Sequence, residues 1–220
     1  VSVTGGLRYS MYNFLGPTQA NVYANGLTKN DANLITVNNY GKGENVKTYH
    51  GPEYHLATRV ILNPNLSLKA SFNTQRQYIH MLSNTTSISP TDVWKLSDLN
   101  IAPQRGSQVS LGVYKNFKSN TIETSIEGYY KNIDDFLDFK SGAVLVLNPK
   151  IEQDVLPTQG KAYGVEFLVK KLTGKLNGWL SYTYSRTLLK TEDKTGVNSI
   201  NGGVFYPANY DKPHDVTLIS

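Results

Sequence analysis

The feature that most constrains this chain is a two-residue alternation of apolar and polar side chains, repeated over most of its length. In Ser107–Phe117, Val109, Leu111 and Val113 alternate with Gln108, Ser110, Gly112 and Tyr114. Ile122, Ile126 and Tyr130 share one parity while Glu123, Ser125, Glu127 and Lys131 share the other. Tyr163, Val165, Phe167 and Val169 oppose Gly164, Glu166 and Lys170, and Leu68, Ala70 and Phe72 oppose Ser67, Lys69 and Ser71. Weaker versions run over Val1–Phe14, Tyr54–Leu62, Leu176–Arg186 and from His214 onward. Successive side chains of a strand point to opposite faces, so this pattern specifies strands with one greasy face. About eight strands result, with no convincing helical period. The reading is all-β, an antiparallel up-and-down meander.

The connections sharpen that reading. Asn63-Pro64-Asn65, Lys118-Ser119-Asn120 and Thr173-Gly174-Lys175 are short and built of turn-forming residues. Pro17–Thr48, Leu82–Arg105, Ser141–Gln159 and Thr191–Pro213 are long and polar. Short and long alternate strictly, so one end of the sheet carries the turns and the other the loops. Outer-membrane β-barrels have that asymmetry. Their lipid-facing strand middles also exclude charge, because Lys or Arg at the bilayer midplane costs about 2–4 kcal/mol. Here the apolar parity carries only Arg76, Lys115, Lys171 and Arg186, all near strand ends, where they can snorkel. The opposite parity holds Arg8, Arg59, Lys69, Glu123, Glu127, Glu166 and Lys170. Tyr9, Tyr54, Tyr78, Tyr130 and Tyr184 are placed toward the long-loop end of the apolar face, as an aromatic girdle. A soluble β-sandwich also alternates, and remains the alternative. It has less reason to gather tyrosines at one rim or to use strands this long.

Composition excludes several classes. Cysteine is absent, which removes disulfides, thiolate metal sites and cysteine nucleophiles. The longest aliphatic run, Ala143–Leu147, is far short of the roughly 20 residues of a membrane-spanning helix. A net charge of +5, dispersed along 220 residues, gives no nucleic-acid footprint. The start at Val1-Ser2-Val3-Thr4 is not a signal peptide, and the chain reads as an internal piece of a longer protein.

Several tracts carry a family resemblance. They are Gly6-Leu7-Arg8-Tyr9-Ser10, Gly51-Pro52-Glu53-Tyr54, Asn65 to Phe72, Tyr78-Ile79-His80, Gly160 to Glu166, Gly178 to Ser185 and Pro207 to Asp215. In this order and spacing they resemble the barrel of TonB-dependent outer-membrane receptors, over nearly the whole chain. The resemblance implies a barrel of about 22 strands closed by a plug domain. It implies too a TonB-box segment that contacts an energy-coupling complex. The expected role is coupled uptake of a scarce ligand: a siderophore, haem, cobalamin or a glycan. Residues 1–220 then form a partial barrel domain in the outer membrane. Its partners are lipid, the plug, the remaining strands, the TonB complex through that plug, and a small-molecule or glycan ligand. Without its other strands the sheet should have two open edges, which invite pairing.

No catalytic constellation is present, so the chain reads as not an enzyme. His50, His55, His80 and His214 lack metal-ligand spacing, and no cofactor motif occurs. Asp134, Asp135 and Asp138 cluster at a strand end but lack a calcium loop's alternating ligands and Gly, which favours a solvated acidic rim. Trp94 and Tyr206 sit in long loops where an aromatic could stack on a ligand. Gln75, Gln77, Glu127, Tyr129 and Lys131 are placed on the wet parity, along a permeation path. The loops are the expected functional surface, although composition and length name no ligand-binding residue. Two other classes compete: a surface β-sandwich binding adhesin or glycan ligands, and an outer-membrane enzyme on a small barrel using His80 and Asp134.

Overall fold

A computed structural model describes every residue except 83–91, 118–119, 145–146 and 192–197. Those exclusions take in Lys118 and Ser119 of the second short turn, Leu145 and Val146 of the aliphatic run, and parts of two long loops.

Eight long strands form one antiparallel sheet. They are β1 (Ser2–Leu15), β4 (Asn45–Asn63), β5 (Leu66–Gln77), β8 (Gln104–Phe117), β9 (Ile122–Phe139), β10 (Val155–Lys171), β11 (Gly178–Lys190) and β13 (His214–Ile219). Each pairs with the next in that order, and a two-residue strand, β12 (Tyr206–Pro207), joins the outer end of β11. The meander is therefore as the alternation predicts. Among the described residues β1 and β13 do not pair with each other, so the sheet is not closed.

The short turns follow local chemistry. Asn63 Oδ1 accepts the amide of Asn65 at 3.0 Å, and Asn120 and Gly174 adopt the positive φ that a tight reversal requires.

Register lines up the greasy parity across the sheet. Leu56, Phe72, Val109, Tyr130 and Tyr163 stand opposite one another strand by strand, as do Val113, Ile126 and Phe167. Leu7, Leu111 and Leu218 expose 74%, 61% and 72% of their surface, and Phe167 exposes 40%. No second sheet covers this face among the described residues. A sandwich core would bury these residues. Glycines on the polar face make room for neighbouring rings: a Cβ at Gly164 would lie 2.9 Å from Tyr129 and 2.6 Å from the Tyr184 carbonyl.

The long loops depart from the expected plain connections. Two carry hairpins: β2 (Thr18–Tyr23) with β3 (Leu34–Tyr40), and β6 (Ile79–Leu82) with β7 (Val93–Leu96). β4 begins at Asn45 and β10 at Val155, each several residues inside an expected loop. Those extensions, residues 45–48 and 155–159, put apolar residues next to each other or singly among polar ones, so no two-residue alternation reveals them. The buried apolar cluster of the described residues also lies here, in Leu82, Ile101, Ile151 and Val155.

Candidate functional site

The described residues of the four long connections meet in one layer beyond the sheet. Its apolar centre is Leu82, Ile101, Ile151 and Val155, with Val93, Leu137, Phe139 and Ala143 packed around it. These residues come from two loops and from the strand ends that enter them. Only Ala143 belongs to an apolar run, the aliphatic stretch Ala143–Leu147.

Polar contacts tie the first loop to the others. Glu152, 6% exposed, accepts from Asn21 Nδ2 at 2.7 Å and from the Tyr23 hydroxyl at 2.9 Å. Gln153 donates to both Tyr23 and Asp31, and Lys150 pairs with Asp31 at 2.7 Å. Burial pushes the Tyr23 phenol up to about 12; the Gln153 hydrogen bond opposes that shift and Glu152 adds to it. Tyr23 therefore stays protonated and remains a donor at neutral pH. Toward the second loop, Asn100 Nδ2 donates to the Asn21 carbonyl at 2.9 Å and the Tyr49 hydroxyl to the Asp98 carbonyl at 2.8 Å. Asp98 Oδ1 holds the amides of Asn100 and Ile101, and Lys95 pairs with its other oxygen. Asn198 reaches Thr28 from the fourth loop, while Thr158, Thr191 and Tyr206 share hydroxyl hydrogen bonds.

The expected site residues disperse within this frame. Asp135 pairs with Arg105 at 3.0 Å, Asp138 accepts from the Tyr206 hydroxyl and from the Phe139 amide, and Asp134 stands opposite Arg105 in the ladder. No group of three or more potential metal ligands exists among the described residues. His50 stacks on Tyr9 with its Nδ1 2.5 Å from the hydroxyl, and His214 meets Tyr182 in the same way at 2.9 Å. His55 stands opposite Asn73 on the polar face. Trp94 is 63% exposed, whereas Tyr206 is half-buried in the Thr191–Asp138 contacts. Tyr78 corrects the expected girdle. It stacks on Tyr12 at 5.0 Å and its hydroxyl meets Ser10 Oγ at 2.7 Å, so it lies with the polar-face residues. The chain leaves β5 after Gln77, and the parity ends there.

His80 is buried, with Nε2 3.2 Å from Ser97 Oγ. Burial holds its imidazole below the usual 6.5, against smaller upward pulls from the Ala102 carbonyl and from Asp98 and Asp135. Because the folded value is the lower one, the opened loop gains its proton first on acidification. The stabilisation is full above 6.5 and is lost as pH falls through the folded value. Limited proteolysis should cut the β6–β7 hairpin faster at about pH 5 than at about pH 7.5, and His80→Gln should flatten the difference. Equal rates for the unaltered protein at both pH values would contradict this.

Below the loops, register brings like charges together in one row of the polar face. One transverse row runs Arg59, Lys69, Gly112, Glu127, Glu166, Thr183 and Asp215. Arg59 stands opposite Lys69, and Glu127 opposite Glu166, and directly opposed like charges cost energy rather than gain it. Lys69 Nζ lies 4.0 Å over the Tyr114 ring, which rests against Gly112. This row is thus basic on β4 and β5 and acidic on β9, β10 and β13. Glu127, Tyr129 and Lys131 share this face, as the parity predicts. Sequence reasoning missed Asn21, Tyr23, Asn100 and Glu152, whose only signal is the apolar Ile151 and Val155 flanking an acidic residue.

A protein-family description, TonB dependent receptor-like, beta-barrel, matches residues 1–213. No curated protein and no solved structure matches the chain.

Proposed function

Since the chain belongs to the TonB-dependent receptor β-barrel family, we propose that it is wall and loop layer of a receptor for coupled uptake of a scarce ligand. Members of that family are outer-membrane receptors and transporters rather than enzymes. The reading for this chain comprises residues 1–220 as a partial barrel domain, closed by further strands and a plug. The TonB complex acts through that plug, and a siderophore, haem, cobalamin or glycan is captured at the loops.

One observation supports it above the rest: the exposed face of the sheet is the apolar one, and the charged face is the one that would enclose the passage. In water such an expanse of apolar surface is a liability; in acyl chains it is the stable arrangement. Strand length supports the same reading. The 19 residues of β4 span about 60 Å at roughly 3.3 Å each, against an apolar band about 25 Å tall. The outer ends of the strands therefore stand clear of lipid and carry the loop layer.

Growth of a strain deleted for the full receptor, on ferric siderophores, haem, cobalamin and glycans in turn, tests the proposal. Growth on one class should fail, and a protonophore should reproduce the failure in the parent strain. Unchanged growth on every class would overturn it.

A further inference from the structure

A cavity of about 280 Å³ opens where the first, third and fourth long loops meet. One wall is apolar, made by Leu27, Val155, Leu156 and Pro157. The other carries Lys29, Lys140 and Glu152. The charges there are unevenly compensated. Lys29 Nζ donates to the Asn100 carbonyl at 2.5 Å, and Lys140 Nζ to the Lys29 carbonyl at 3.3 Å. Neither ammonium has an ion pair among the described residues. The nearby Glu152 accepts from two neutral donors, Asn21 and Tyr23, both at Oε1, and pulls on Lys29 without a direct ion pair. Among the described residues, two cations resting on neutral carbonyls and a single carboxylate leave the lining one positive charge in excess.

We propose that this cavity binds a small organic monoanion: a carboxylate held between Lys29 and Lys140, its apolar body lying on Leu156 and Pro157. The carboxylate supplies the charge-assisted partner that both ammoniums lack, and the apolar wall removes the rest of the ligand from water. Burial lowers the Lys29 ammonium from its ordinary value, with Lys140 adding to the shift and Asp98 and Glu152 opposing it. An anion at this place reverses that penalty, so binding draws in protons where Lys29 is partly deprotonated. As a capture site for a transported solute the cavity rests on the uptake reading; as a binding site it does not.

The full receptor, purified in detergent, is titrated with benzoate, benzyl alcohol and benzylamine by saturation-transfer NMR. Benzoate should bind, the alcohol should bind about tenfold more weakly or worse, and the amine should not bind. Lys140→Gln should weaken benzoate about tenfold, Lys29→Gln with Lys140→Gln further still, and Lys29→Arg should retain binding. Protease resistance of the loops identifies a variant that has merely opened the layer. For such a variant, the comparison of three probes on the unaltered receptor still decides. Benzyl alcohol binding as tightly as benzoate, or unchanged benzoate affinity in an intact Lys140→Gln receptor, overturns the proposal. Uptake absent while benzoate binds strikes the transport reading alone; benzoate binding absent while uptake persists strikes the cavity alone.

Discussion

Arginine in place of Leu111 is expected to cost the folded barrel about 2–4 kcal/mol, against under about 1 kcal/mol for arginine in place of the adjacent Ser110. Leu111 is 61% exposed in the middle of β8, between Ala70 and Gly128 of the neighbouring strands, on the face read as touching acyl chains. A guanidinium there has no water and no counter-charge, and mid-strand it is too deep to snorkel freely. Ser110 points the other way, its Oγ 2.7 Å from Ser71 Oγ, on the face that already carries Arg59 and Lys69. The gap should appear in urea titrations of the full receptor in lipid vesicles, followed by the gel shift between folded and unfolded forms. Equal costs at the two positions would mean that the faces have been assigned wrongly.

The second large effect is expected in the loops. Ile101 is 2% exposed and packs in the cluster with Leu82, Ile151 and Val155. Truncation to alanine leaves a cavity in a well-filled site, worth about 2–5 kcal/mol. Because this cluster touches the sheet only at the outer ends of β9 and β10, the loss should be confined to the loop layer and those ends. Hydrogen exchange should quicken in β6, β7 and residues 151–155 while β8 and the rest of β9 keep their protection. Ligand capture should fall with barrel assembly unchanged. Trp94→Ala, at a 63% exposed position, should stay within about 0.5 kcal/mol. Slowed assembly of the whole barrel in Ile101→Ala would show that the two parts are one cooperative unit.

The sheet was legible in the sequence because two different solvents act on alternate residues. Val109, Ile126, Val165 and Phe167 had to be apolar, and Glu127 and Glu166 could be charged, whatever the rest of the chain did. The loop layer was not legible, because its order comes from contacts distant along the chain, such as Asn21 to Glu152, between residues that look like ordinary polar loop. Its apolar centre is assembled from single residues separated by polar stretches, below the threshold of any periodicity. Tyr78 shows the limit from another side: parity assigns a face only while the strand continues, and β5 ends one residue before it.

Two independent cements hold this chain, one supplied by lipid against the sheet and one by four buried aliphatics above it. Sequence drift in the upper storey therefore leaves insertion untouched, and the storey keeps its own fold while Leu82, Ile101, Ile151 and Val155 persist. If the loops capture the ligand as proposed, lineages can retune what the mouth accepts, residue by residue, without renegotiating the wall that carries it.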